Sequence, residues 1–261
     1  MRIVMIGAGN VATNLVHSLS AHHQIIQIFS RTMESASVLA VSGHVENYTD
    51  DLAELRTDAD IYVISVKDAY VTDVARCVRA RCADALIVHT AGSLPMSCIP
   101  EGRRGVLYPM QTFSKQRFVD FSQIPVFIEA SSAGDLSVIN DLASSLSRKV
   151  VELSSENRRY LHVAAVLLCN FSNHLATLAY DVLGRHDIPF DVMLPLLDET
   201  VRKLHHMKPF DAQTGPAVRK DMNVMDSQRE LLSAEPDGDM LRRLYDVLSQ
   251  SIIALHDGRP V

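Results

Sequence analysis

The chain has 261 residues, 47% of them hydrophobic and 21% charged. That composition excludes a disordered chain, a collagen-like repeat and a disulfide-stapled scaffold, and the length allows one large domain or two of ordinary size. With 25 Lys and Arg against 31 Asp and Glu the formal charge is −6, so no net positive field gathers nucleic acid or anionic lipid, and neither is expected as a partner.

Ile3 to Ile6 is a short apolar run that stops at Gly7-Ala8-Gly9-Asn10-Val11-Ala12, after which Val11, Leu15 and Leu19 recur at helical spacing. This predicts strand, tight turn, helix. Further strands are predicted at Ile25–Phe29, Ile61–Val66, Leu86–His89, Gly105–Tyr108, Val126–Glu129 and Val150–Leu153, with a helix at Asp135–Leu146 before the last. Alternating β and α segments predict an α/β fold, a Rossmann-like doubly wound and mainly parallel sheet covered on both faces, over residues 1–153. Then the pattern changes. Ser155 is a candidate N-cap, and residues 156–183 hold neither proline nor glycine under a dense apolar periodicity, so a long helix is expected up to Gly184. Another helix should follow Pro189 through about His206, and Leu241, Leu244, Tyr245, Leu248, Ile252 and Leu255 mark a terminal amphipathic one. Residues 154–261 are therefore expected to form an all-helical second domain.

Cys77, Cys82, Cys98 and Cys169 form no C-x-x-C pair and lack the spacing of a secreted framework, which fits a reducing cytoplasm. The start, Met1 to Gly7, has no signal core, and the longest apolar run, Val163 to Cys169, is far short of the roughly 20 residues of a bilayer span. A cytoplasmic protein with no membrane contact is expected. The pairs His22-His23 and His205-His206 lack the i, i+4 spacing of a helical zinc site, so no metal is expected.

Gly7-x-Gly9-x-x-Ala12 follows a strand and opens a helix, the context in which such a triplet signals a dinucleotide. Gly7 permits the tight turn, Gly9 lets a pyrophosphate approach the backbone, and small Ala12 lets the helix pack on the strand, while the helix dipole and the amides around Ala8, Asn10 and Val11 face the anion. A tight turn without a ligand is the alternative. The second strand ends Phe29-Ser30-Arg31-Thr32, with no acid for the adenosine ribose of NAD. Ser30 and Thr32 offer hydroxyls and Arg31 a planar charged fork for a 2′-phosphate, so NADP is expected rather than NAD, unless Arg31 is simply a solvent-facing loop residue.

Ligands of open α/β sheets gather at the carboxyl ends of the strands. That selects Val66 and Lys67, Thr90 and Ala91 within His89-Thr90-Ala91-Gly92-Ser93, and Tyr108-Pro109 as the rim. His89 either donates a proton or orients the nicotinamide ribose, or it ends a buried strand with its ring bonded to backbone; both stay open. On the long helix, at about 100° per residue, His162, Val166, Cys169 and Asn173 share a stripe with Asn170 close by. His162 could supply a proton while Asn170 and Asn173 orient a carbonyl or imine, or the three could form a buried polar network between helices or subunits. Thr214-Gly215-Pro216, read as opening a helix with Arg219 and Lys220 near, is a candidate site for a substrate carboxylate or phosphate, or else only a proline-stiffened helix start.

Taken together, Gly7–Ala12, Phe29–Thr32, His89–Ser93, Tyr108-Pro109-Met110-Gln111-Thr112-Phe113, the helix from Leu161 through Asn170, and Thr214-Gly215-Pro216-Ala217-Val218-Arg219-Lys220-Asp221 resemble an uncharacterised bacterial family. Its members pair a Rossmann-like NADP domain with a helical domain of unknown function. They are similar in design to pyrroline-5-carboxylate reductase, prephenate dehydrogenase and proteins with a 6-phosphogluconate-dehydrogenase-like C-terminal domain. The resemblance spans nearly the whole chain, and its most specific element is the Thr-Gly-Pro stretch. It implies an NADP-dependent oxidoreductase, often a homodimer through the helical domain. Two departures matter. Hydroxyacid dehydrogenases of the wider group carry a lysine and an asparagine one turn apart on the interdomain helix, where this chain has His162 and then Val166, so that pair does not transfer. Where His-Pro is expected, this chain has Tyr108-Pro109. The resulting expectation is hydride transfer to or from a small carbonyl, imine or hydroxy compound in a cleft between the domains. The alternative is a non-catalytic NADP-binding sensor or interaction protein, whose hydride-bearing face would be capped or apolar.

Overall fold

In the computed structural model, which describes residues 1–258, eight strands form one sheet. They are β1 (Arg2–Ile6), β2 (Gln24–Phe29), β3 (Tyr48–Thr49), β4 (Ile61–Ile64), β5 (Leu86–His89), β6 (Arg104–Pro109), β7 (Val126–Ala130) and β8 (Val150–Glu152), in the order β3-β2-β1-β4-β5-β6-β7-β8. Every neighbouring pair is parallel except β6 with β7. All seven predicted strands are present. Two-residue β3 was not predicted, because it is too short to show a periodicity.

The sheet separates two cores because successive strand side chains point to opposite faces. Ile3 and Met5 of β1 pack with Leu15, Val16 and Leu19 of α1 (Asn10–Leu19), Leu39 of α2 (Met33–Ser42) and Ile139, Leu142 and Leu146 of α4 (Ala133–Leu146). Val4 and Ile6 of the same strand pack with Val71, Val74 and Val78 of α3 (Asp68–Arg81). This is the doubly wound architecture expected. Its chain order reverses between β1 and β4, and the crevice beyond their carboxyl ends is where such sheets take ligands.

The chain divides into two compact units, residues 1–169 and residues from Asn170 onward. The first keeps α5 (Ser155–Ala165), a helix the sequence places in its second domain from residue 154. An ion pair holds it there: buried Arg158 of α5 meets half-buried Glu129 of β7 at 2.6 Å. A single continuous α-helix from Glu156 to Leu183 was expected. Instead a π-helical turn, Val166–Phe171, separates α5 from α6 (Ser172–Arg185). A π turn takes more residues per revolution than the α-helix, so the constant 100° step that put His162, Val166, Cys169 and Asn173 on one stripe does not hold through it. By length and composition alone the run Ser155–Arg185, 31 residues, could cross a membrane. Its first turns, Ser155-Glu156-Asn157-Arg158-Arg159, are instead polar, and Arg158 is anchored in the sheet unit.

The second unit continues through α7 (Leu194–Leu204), α8 (Pro209–Ala212), α9 (Pro216–Arg219), α10 (Met222–Ser233) and α11 (Gly238–His256). Ion pairs tie α6 and α10 to neighbouring segments, Arg185 to Glu235 at 2.7 Å and Arg229 to Asp246 at 2.6 Å. Among its described apolar residues only Ala217, Met225 and Leu241 are buried.

Candidate active site

A cavity of about 720 Å³ lies at the carboxyl ends of the strands and is lined within the first unit alone. At one end is the turn after β1. Gly7 has φ +124°, and a Cβ there would stand 2.1 Å from the Ser65 carbonyl oxygen, so only glycine lets β1 turn this close to the end of β4. A Cβ on Gly9 would meet nothing within 4 Å. Gly9 is also the N-cap of α1 and provides no side-chain cap, and the first turn of α1 holds no acid, so its amides and dipole end stay available to an anion. Gly7, Ala8, Gly9, Asn10 and Val11 line the cavity. Ala12 is fully buried behind it, the close helix-to-strand packing that its size allows. These features fit a dinucleotide pyrophosphate.

Past β2, Ser30 and Arg31 line the cavity and Thr32 does not. The Thr32 hydroxyl caps α2, accepting from Ser35 N at 3.3 Å and donating to Ser35 Oγ at 2.9 Å. Ser35 faces the cavity in its place. The pattern Thr32-Met33-Glu34 before a helix is a capping signal, and it could have revealed this. The Arg31 guanidinium lies 5.2 Å over the ring of Tyr70, a cation–π contact that holds the charged fork at the cavity wall. Tyr70, from the first turn of α3, was not singled out from sequence.

Val66, Lys67, Thr90 and Ala91 line the cavity as expected, and Gly92, Tyr108, Pro109, Gln111, Phe113 and His162 complete its other end. Tyr108 Oη lies 3.1 Å from His162 Nδ1. Their rings meet edge to face, centroids 6.1 Å apart. Gly92 makes the approach possible, because a Cβ there would stand 2.6 Å from His162 Nδ1 and 2.8 Å from Tyr108 Cζ. Burial raises the pKa of Tyr108, the chief cause, so the phenol keeps its proton at neutral pH.

His89, the other candidate proton donor, does not line the cavity. It is fully buried at the end of β5, and its Nδ1 accepts from the Ala91 amide at 3.1 Å. Desolvation, aided by the charge of Arg158, pushes its pKa down to about 4. That is the buried strand-end reading, and it keeps the ring neutral at physiological pH. Asn170 and Asn173 are exposed residues at the start of the second unit, beyond the cavity lining. Thr214, Gly215, Pro216 and Arg219 also lie in the second unit. The helix they were expected to open, α9, is only four residues long and stops at Lys220, whose φ is +54°. A single turn has no appreciable dipole, so the amide-based anion site does not follow. Lys220 is paired with Asp257 at 2.5 Å, and Arg219 is exposed. Among the described residues no group of three or more His, Cys, Asp or Glu is placed to hold a metal ion.

Residues 2–92 match the domain family described as NADP oxidoreductase coenzyme F420-dependent, and residues 124–252 match Domain of unknown function (DUF2520). Among solved structures, the chain is 48% identical to a "putative NADP oxidoreductase" from Bacteroides fragilis, with 97% of each chain covered and a TM-score of 0.89. A protein from Thermotoga maritima shares the fold at 23% identity, with 96% of this chain and 99% of that chain covered and a TM-score of 0.76. So does a pyrroline carboxylate reductase from Plasmodium falciparum with NADP bound, at 11% identity, 98% coverage of both chains and a TM-score of 0.62. No curated protein matches the chain.

Proposed function

The chain belongs to the family of NADP oxidoreductases in which an NADP-binding Rossmann domain precedes a DUF2520 domain, and from that premise we propose that Tyr108 and His162 are the proton-transfer pair of an enzyme acting on a small carbonyl, imine or hydroxy compound. One contact carries this reading: Tyr108 Oη and His162 Nδ1, 3.1 Å apart, stand in the wall of the cavity whose opposite end is the Gly7–Val11 turn.

NADPH, when bound, supplies the hydride. The backbone at Gly9 and the α1 amides suit its pyrophosphate, Arg31 over Tyr70 suits the 2′-phosphate, and the Val66 and Thr90–Gly92 segments border the remaining space. Reduction leaves a substrate oxygen or nitrogen that needs a proton, and oxidation must remove one. Counted with the imidazole uncharged, the pair holds two protons. One lies in the Oη–Nδ1 hydrogen bond; the second sits on Nε2 when the phenol donates, or on the phenol when Nδ1–H donates. Either tautomer leaves one proton to give, and partly exposed His162 can regain it from water. A titratable pair in the cavity favours an enzyme over a sensor, whose corresponding face would be apolar.

A cytoplasmic homodimer is the assembly we infer. Leu168 of the π turn, Leu196 of α7, and Leu231 and Val247 of α10 and α11 are each more than 60% exposed, and α6 and α7 have no buried residue. A second copy presenting the same helices would cover this apolar surface, of a kind that monomers rarely leave in water. Sedimentation as a monomer at micromolar concentration would count against it.

The test is a panel of small carbonyls, imines and hydroxy acids assayed by NADPH absorbance. On the best substrate, His162→Gln and Tyr108→Phe should lower kcat by a factor on the order of 10²–10⁴, the usual worth of general acid–base catalysis. NADPH affinity should stay near wild type. Unchanged turnover in both variants refutes the assignment.

A further inference from the structure

Resting on the reading of Tyr108 and His162 as the proton-transfer pair, we propose that Arg158 is their positioning residue, a buried guanidinium that locks α5 to the loop after β5 so that His162 meets Tyr108 beside Gly92. Arg158 is 1% exposed. Its Nη1 donates to Glu129 Oε2 of β7 at 2.6 Å, and its Nη2 donates to Leu94 O at 2.6 Å and to Ser155 Oγ at 3.1 Å. The Ser155 hydroxyl in turn donates to Glu129 Oε2 at 2.6 Å and accepts from Met96 N at 2.8 Å. Three segments distant in sequence are thus joined by one cation.

Arg158 and His162 are four residues apart on α5, hence on one face. Both reach the same loop: Arg158 holds it at Leu94, and His162 packs against it at Gly92, a residue of the cavity wall. The first clamp therefore sets the height of α5 over the loop, and the second contact inherits it. Stability alone is a weak reason for such a group. Buried ion pairs seldom outperform apolar packing of the same volume, and here Nε has no hydrogen-bond partner among the described residues. What the planar fork provides is direction, since it fixes two acceptors at once. Its charge also reaches the pair. Tyr108 is faced by His162 and by Arg158, which lowers the phenol pKa, and by Cys169, which raises it, with burial the largest influence.

Two variants test this. Arg158→Met with Glu129→Leu replaces the ion pair by apolar volume and avoids a stranded carboxylate, whereas Arg158→Lys keeps the charge and loses the fork. Both should bind NADPH, followed by its fluorescence, with near wild-type Kd, while kcat falls by a factor on the order of ten to a hundred, as a misplaced catalytic group costs. The alkaline limb of the kcat profile should move to higher pH in the double variant, where the phenol loses its facing cation, and stay in place in Arg158→Lys. In protein without NADPH, the imidazole NMR signal of His162 should shift in both as the Tyr108 hydrogen bond loosens. A folded double variant with wild-type kcat, limb and imidazole signal overturns the proposal. If the double variant does not fold, Arg158→Lys with wild-type kcat and signal overturns it. Slow His162→Gln beside fast Arg158 variants refutes the positioning role alone, and fast His162→Gln together with fast Tyr108→Phe refutes the pair itself.

Discussion

Acid should unfold the sheet unit through His89, and replacing that one ring should remove much of the effect. The imidazole is fully buried, its Nδ1 taken by the Ala91 amide, and desolvation holds its pKa at about 4 against an ordinary value of 6.5. Below pH 6.5 the unfolded chain therefore binds a proton that the folded chain refuses. The contribution to stability is complete above pH 6.5 and is lost as pH falls toward 4. At about 1.4 kcal/mol per pKa unit, the limit is about 3 kcal/mol, of which about 2 kcal/mol is gone by pH 5. His89→Asn offers Oδ1 to the Ala91 amide and has nothing to titrate. Urea midpoints from far-UV circular dichroism at several pH values between 7.5 and 4.5 would be compared in the two proteins. His17 and His23, also lowered mainly by burial, give the same sign and are common to both. The wild type should lose about 2 kcal/mol more than His89→Asn between neutrality and pH 5. Parallel curves would refute the reasoning. His89→Asn should also keep its turnover at neutral pH, and a collapse of kcat would return His89 to the chemistry.

Arg31→Ala should shrink the preference for NADPH over NADH by about 1–3 kcal/mol in fluorescence titrations, the worth of a charge-assisted bond; equal affinities in the parent protein would sink the 2′-phosphate assignment. Tyr70→Ala should give a smaller loss of the same kind, because it frees the guanidinium without removing it. Gly7→Ala, with its new Cβ 2.1 Å from a carbonyl oxygen and φ at +124°, should abolish NADPH binding and lower Tm, and a binding-competent variant would contradict the geometry of the turn. Gly92→Ala drives a methyl group between His162 and Tyr108, and it should lower kcat; full turnover would mean that the contact is dispensable.

Local features were legible in the sequence because their causes are local. Apolar runs ending in glycine or at a polar rim are strands wherever a sheet buries both faces, and the Gly7–Ala12 turn is determined by positions a few residues apart. The helix cap at Thr32 is local too: a hydroxyl that starts a helix accepts from the amide three residues on. The π turn at Val166–Phe171 left no such mark, since hydrophobic periodicity reports which face is apolar and not how many residues close a turn. The least legible part is the part with chemistry. His162 and Tyr108 were each named from sequence, yet 54 positions separate them, and nothing in either neighbourhood says that their polar atoms meet. Their meeting is decided by Gly92, which leaves room, and by Arg158, which reaches 29 residues back to Glu129 and 64 back to Leu94. A buried arginine in a polar first turn looks, in sequence, like any solvent-facing one. Only the sheet supplies the carboxylate that draws it inward, and with it the helix that carries the histidine.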